Sequence, residues 1–264
     1  MKKSVSFFDP QPERTQVWKC GGGTQSAAIA VLIADGRLPR PDIALMVDTG
    51  RENSNTFPYV SKWIVPAMRS VGVELSVIRK ADFTNVDVFG GKDGNTILLP
   101  GFTDQAGRVG KLQNFCSGEW KRDAMSRWLR TQGVKQCDSW IGFSLDEMGR
   151  VFRARRQWDR PLFPLIELLV RRQACVEIVR GAGWDDPPRS SCWMCPNKGD
   201  DEWLDMKVNR PRDFAKAVKF ERGVRNRDPH FWLHQSCRPL DQVPFTKLPL
   251  LWEEQGCGSG MCGV

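Results

Sequence analysis

The stretch Cys20-Gly21-Gly22-Gly23-Thr24-Gln25-Ser26 constrains this chain more than any other. It lies between Thr15–Cys20, a run of strand character, and Ser26–Ala34, an Ala, Ile, Val and Leu stretch suited to a buried helix. Three glycines at such a junction let backbone N–H groups close on an anion, and the helix N-terminus adds unpaired donors and partial positive charge. Thr24 and Ser26 add hydroxyls. The loop has neither the Gly-Lys-Ser/Thr of a Walker loop nor the Gly-x-Gly-x-x-Gly spacing of a dinucleotide site. It either cradles a phosphate or makes a tight turn with ordinary helix capping.

The alternation continues downstream. Ile43–Val47 is a second apolar run, bounded by Pro41 and by Asp48-Thr49-Gly50. Helix-spaced apolar residues run from Asn55 to Val71 across Pro58 and Pro66, and Glu74–Ile78 reads as a third strand. A helix at Trp120–Leu129 precedes a fourth strand at Ser139–Phe143. Strands alternating with helices predict crossover connections, and so an α/β fold with a doubly wound, mainly parallel sheet and helices on both faces. Phe89–Gly110, rich in Gly and polar residues, reads as a mobile loop or lid. Beyond residue 150 the character changes. Phe163–Arg180 and Pro211–Arg225 look helical, Asp185-Asp186-Pro187-Pro188 breaks the chain, and the tail is irregular. The expected organisation is a nucleotide-binding core over residues 1–150, with a helical and irregular, Cys-containing elaboration over 151–264 packed on it.

With 11 Trp and 14 Phe the chain has ample apolar area for a core, which excludes disorder. No apolar run approaches the roughly 18 residues that span a bilayer, and the polar first ten residues lack a secretory signal. A cytoplasmic protein with no membrane partner is expected. Nine cysteines in such a setting should be reduced, which favours metal, cluster or redox chemistry over a disulfide framework. A net charge of +8 suits a polyanion: RNA, DNA or a phosphate-rich nucleotide. The two histidines, His230 and His234, read as packing residues with polar tips, and no His-based triad is evident.

Gly21–Ser26 resembles the pyrophosphate loop, Ser-Gly-Gly-x-Asp-Ser, of the adenine nucleotide alpha hydrolases, the superfamily of PP-loop ATP pyrophosphatases and PAPS reductases. Val47-Asp48-Thr49-Gly50-Arg51-Glu52, with Thr56–Val60 after it, resembles the Asp-Thr-Gly-x-Glu segment of PAPS-reductase-like proteins. Phe115–Lys121 resembles their Cys-Thr-x-x-x-Lys segment. Ile141–Arg150, Phe163–Glu167 and Ser190–Pro196 are similar to a PAPS-reductase-like branch common in bacteriophage genomes. The resemblance covers about residues 14 to 264. One departure matters: Gln25 stands where the superfamily carries Asp, and Gly21 replaces the leading Ser. An amide donates to phosphate but does not hold a metal ion as a carboxylate does. Asp48, at the end of strand two, is either the replacement carboxylate or a simple turn residue.

The resemblance implies an adenine nucleotide as ligand, ATP or adenylyl sulfate, with Mg as a companion ion. Its binding residues would be Gly21, Gly22, Gly23, Thr24, Gln25, Ser26, Asp48, Thr49, Gly50, Lys121, Arg153 and Arg155, with Ser26, Asp48 and Lys121 in catalytic roles. Cys192 and Cys195 have the Cys-x-x-Cys spacing at which two thiolates reach one metal or cluster. In the resembling enzymes a cysteine at the place of Cys116 joins a later pair in a [4Fe–4S] cluster. A fourth ligand would come from Cys237, from the tail cysteines Cys257 or Cys262, or from none. Zinc is the rival to iron, since four thiolates suit both. Cys20, Cys137 and Cys175 read as small core residues. The implied function is an enzyme that adenylates an acceptor with ATP, releasing pyrophosphate, for sulfur transfer from a thiol or sulfur donor in nucleic-acid or nucleotide modification. Two alternatives stay open. One is a sulfonucleotide reductase forming sulfite, of which Glu254–Gly258 is a loose echo. The other is a non-catalytic nucleotide- or nucleic-acid-binding protein with a structural metal.

Overall fold

In a computed structural model the described residues are 6–245 apart from 91, 93, 114 and 155. Five strands form one sheet: β1 (Thr15–Lys19), β2 (Ile43–Asp48), β3 (Leu75–Arg79), β4 (Cys137–Ile141) and β5 (Asp159–Leu162). Their order is β3-β2-β1-β4-β5 and every neighbouring pair is parallel. The expected doubly wound α/β sheet is therefore present. The connection reverses direction between β1 and β4, so the loops leaving their carboxyl ends part and open a crevice there.

Side-chain alternation assigns the two faces. Trp18, Ala44, Met46 and Trp140 pack with α1 (Thr24–Ala34), with the helical segment of α2 (Thr56–Tyr59) and α3 (Val65–Ser70), and with residues Cys175 and Val179. Val17, Leu45, Val47 and Ile78 face the other way, against Ala124, Met125 and Leu129 of α4 (Asp123–Thr131). Helix α1 is apolar all round, and Ala27–Ile33 are all buried, as a helix without a polar face must be. Two π-helical turns, Val60–Ile64 and Ser117–Arg122, lead into α3 and α4.

Strand β5 escapes sequence reading because Asp-Arg-Pro-Leu carries no apolar alternation; Pro161 is tolerated because the strand is at the sheet edge. It lies beyond residue 150 and buries a polar stripe. Lys19 Nζ meets Asp159 Oδ2 at 3.0 Å, and Ser139 donates to the same carboxylate. The expected helix over Phe163–Arg180 is two helices, α5 (Pro164–Glu167) and α6 (Arg172–Gly181), parted at Leu169, whose φ is +55°. Phe89–Gly110 is partly paired: Phe89–Gly90 with Thr96–Ile97, and Phe102–Thr103 with Gly110–Lys111 and Phe231–Trp232. Helices α7 (Asp200–Asn209) and α8 (Pro211–Arg225) complete a second core around Trp120, Met194, Trp203, Phe214 and Phe231. The buried Glu221 of α8 accepts from the Leu233 and Leu240 amides, both at 2.8 Å, and so holds the last described segment.

Candidate active site

The glycine loop leaves β1 at the crevice. Gly22 has φ +72°, and a Cβ there would fall 2.9 Å from Met46 and 3.0 Å from Thr56, so the position requires glycine twice over. The Gly21 amide donates to Ser26 Oγ at 2.8 Å. No side chain caps α1, and its first turn holds no acidic residue. Its leading amides, at the end of a helix buried from Ser26 to Ile33, thus present donors and partial positive charge toward the crevice.

Three groups surround this loop. The first is Ser190, whose hydroxyl donates to the Gly21 carbonyl and whose backbone runs so close that a Cβ on Gly23 would lie 2.6 Å from Ser190 N. The second comes from the loop after β4. Gln25 Nε2 donates to Glu147 Oε2 at 3.0 Å, and the other oxygen of Glu147 accepts from Arg150. Arg150 lies over the Phe143 ring, its side chain only 9% exposed, and its Nε and Nη2 are buried without a hydrogen-bond partner. A guanidinium with unspent donors is a ready anion contact. The third is Lys121, on the π-helical turn. It lies 3.7 Å from Glu52, and its positive charge acts on both Cys20 and Cys192.

The segment after β2 is held by its own side chains. Asp48 Oδ1 accepts from Gly50 N at 2.7 Å, so this carboxylate closes a turn. Thr49 donates to Glu52, and Glu52 forms an isolated β-bridge with Cys192. The Trp193 amide donates to the Arg51 carbonyl, and Asn53 reaches Ser191 at 3.2 Å. These contacts seat the Cys-x-x-Cys turn against the sheet's carboxyl end.

Within that turn the Cys195 amide donates to the Cys192 carbonyl, and Lys198 donates to the same oxygen and to Ser191. Burial pushes the Cys192 thiol up to about 11, against the opposing pull of Lys121. Burial likewise lifts Cys20 to about 11, countered by the Gly22 backbone and Ser26. Cys116 and Cys192 both pack on the second core. Cys237 stands apart, beside Asp104, with φ +49°. Among the described residues no group of three or more His, Cys, Asp or Glu side chains lies close enough to hold a metal ion. The four candidate cysteines therefore do not form a cluster-binding set in this arrangement. Cys257, Cys262 and the Glu254–Gly258 echo lie outside the described residues.

Arg153 is exposed, and Arg155 lies outside the described residues. Cys20, Cys137 and Cys175 are buried, as small core residues should be. His230 and His234 do not share a helix face; they pair with Asp104 and Asp200 respectively, each at 2.8 Å. Sequence reading missed Glu147, Arg150 and Ser190 as neighbours of the loop. In the sequence Arg150 is one arginine beside Arg153, Arg155 and Arg156, with nothing local to set it apart.

No family model and no curated protein matches this chain. Among solved structures it is similar to the U34-tRNA thiolase NcsA of Methanococcus maripaludis, determined with its [4Fe–4S] cluster. That match is 16% identical with a TM-score of 0.45, covering 78% of this chain and 71% of NcsA. It is also similar to phosphoadenylyl-sulfate reductase of Candida auris in a phosphate complex, at 10% identity and a TM-score of 0.39, over 66% of this chain and 76% of that one. No helix among the described residues is long and apolar enough to cross a membrane.

Proposed function

We propose that this chain is an adenine-nucleotide enzyme that activates an acceptor oxygen with ATP so that sulfur can replace it. The observation that carries the reading is the uncapped α1 N-terminus behind Gly21–Gly23, at the switch point of the sheet, with the buried Arg150 and its two unpaired donors joined to Gln25 through Glu147. The α1 amides would hold the pyrophosphate, Thr49 and Gly50 would border the nucleoside, and Lys121 would face the α-phosphate.

In the reaction proposed, an acceptor carbonyl oxygen attacks the α-phosphorus. The new O–P bond forms as the α–β anhydride breaks, and pyrophosphate departs with the electron pair. Hydrosulfide then adds at the activated carbon, the C–O bond breaks, and AMP leaves with that oxygen. No net oxidation occurs. Arg150 and the loop amides stabilise the charge gathering on pyrophosphate. A [4Fe–4S] cluster, with zinc as its rival, remains the cofactor the cysteine spacing suggests, but the cysteines as arranged do not fit it and no step is assigned to it. Gln25 favours the alternative of sulfonucleotide reduction, since reducing a preformed adenylyl sulfate needs no carboxylate-held metal.

The test is to incubate the full chain, purified without oxygen, with ATP, Mg and hydrosulfide in the presence of mixed RNA or DNA. Release of AMP and pyrophosphate that depends on nucleic acid supports the reading. Sulfite from adenylyl sulfate, with no AMP from ATP, replaces it by the reductase. Nucleotide binding without either product replaces it by the binding protein.

A further inference from the structure

A second cleft, of about 660 Å³, opens beside the Cys-x-x-Cys turn, between the segment after β3 and α8. Its walls alternate rings with cations. Trp193 and Phe220 meet edge to face at 5.8 Å. Arg51 lies 5.8 Å from the Phe220 ring centre, and Arg227 stacks 3.7 Å over Phe89. Lys216 and Lys219 stand exposed at the rim, one helical turn apart, Lys216 leaning 3.7 Å on Asp213. The lining has one acid, Asp87, and it is already spent: Arg51 holds it through two hydrogen bonds and Lys80 approaches to 3.3 Å.

With Arg51 spent on Asp87, three lining cations remain, Lys216, Lys219 and Arg227, and they select an anion, while the half-buried rings of Trp193 and Phe220 select a flat apolar partner. A nucleotide unit is both. Aromatic side chains that stack bases beside a groove of Lys and Arg are how strands are gripped without reading sequence. We propose that this cleft binds the acceptor as a nucleotide unit, base against Trp193 and Phe220, phosphate toward Lys216 and Lys219. The cleft and the nucleotide site share backbone, since Trp193 donates to Arg51, and Glu52, the next residue, pairs with Lys121 and bridges Cys192. A base seated on Trp193 is thus linked to the lysine assigned to the α-phosphate through Arg51 and Glu52. Its role as acceptor site rests on the adenylation reading; its affinity for nucleotides does not.

Equilibrium binding tests it with three probes: a labelled ten-nucleotide single-stranded RNA, its DNA counterpart, and uridine monophosphate. ATP binding is followed separately on the same samples. The double variant Lys216→Gln, Lys219→Gln changes only exposed side chains. It is expected to weaken the strand about tenfold and lower the salt slope by about 1.4, two contacts at about 0.7 each, with ATP affinity unchanged. Phe220→Leu is expected to weaken every probe that binds the cleft. Binding by the strands alone assigns the cleft to a nucleic acid; equal binding by the monophosphate assigns it to a free nucleotide. If no probe binds, or if both variants bind as the wild type does, the proposal is overturned even where ATP binds normally. If the strand binds through these residues but ATP does not bind at all, the cleft stands and the adenylation reading falls.

Discussion

Gly23→Ala tests whether Ser190 truly closes over the glycine loop. The added Cβ would lie 2.5 Å from Ser190 Cβ, 2.6 Å from its N and 3.0 Å from its Cα. Carbon atoms in contact rest about 3.5–4.0 Å apart, so the overlap is about 1 Å and falls mostly on backbone. No rotamer change relieves it; the whole segment from Arg189 to Ser191 must retreat. Overpacking of this kind costs about 2 kcal/mol, since forced insertions cost roughly 1–3. For a chain of this size that corresponds to a fall in Tm of about 4–8 °C. Calorimetric titration with a non-hydrolysable ATP analogue should show affinity falling about tenfold, equivalent to about 1.4 kcal/mol. Adding Ser190→Gly removes the Cβ contact but leaves N and Cα in place, so rescue is partial. A Gly23→Ala protein with wild-type Tm and analogue affinity would refute the closure, and so would full rescue by Ser190→Gly.

Three further outcomes follow from other contacts. Burial alone would lift the Asp138 carboxyl, but Arg160, the Gln11 amide, Gln16 and Arg14 outweigh it and hold the group below the usual range. A depressed carboxyl stabilises the fold above its unfolded pKa near 3.9 and loses that contribution as pH falls through its folded value. Asp138→Asn should therefore cost about 3 kcal/mol at pH 7 by urea unfolding, with the gap to wild type closing below about pH 4. Gln25→Glu places a second carboxylate against that of Glu147, so its Tm should drop a few degrees at pH 7 and recover as pH falls and the pair takes up a proton. Cys237→Ser should leave the iron and zinc content per chain unchanged, because its thiol stands beside Asp104 rather than at the Cys-x-x-Cys turn; a halved metal content would place it among the ligands.

The sheet was legible because β2 is a continuous apolar run and β1, β3 and β4 each carry an adjacent apolar pair, Val17–Trp18, Val77–Ile78 and Trp140–Ile141, and α1 because nothing polar interrupts Ala27–Ile33. The glycine loop was legible from its junction alone. What surrounds it was not. Ser190 reaches Gly21 across 169 positions, and Gln25 reaches Glu147 across 122; no local pattern carries such a pairing. Arg150 looked like its neighbours Arg153 and Arg156, and only its place over Phe143 separates it from them. Asp48 had two readings from sequence, and the hydrogen bond from Gly50 favours the turn. The cysteine spacing was accurate as arithmetic, yet spacing along a chain does not converge side chains, and a set of three or more ligands among the described residues does not form.

The wide turn Ser117–Arg122 has a consequence of phase. Cys116, just before the turn, and Trp120, within it, pack in the second core; downstream, Ala124, Met125 and Leu129 are fixed against the sheet. An ordinary helix advances about 100° per residue, so two anchored ends leave no freedom to choose the bearing of what lies between. The π-helical turn carries a surplus residue there, and that residue works as a gear between two cores cut to different registers. Lys121 owes its direction to it. Shortening the turn by one residue would keep both cores packed only by swinging the lysine about a quarter-turn or more away from Glu52 and Cys192, while every residue of the glycine loop kept its place.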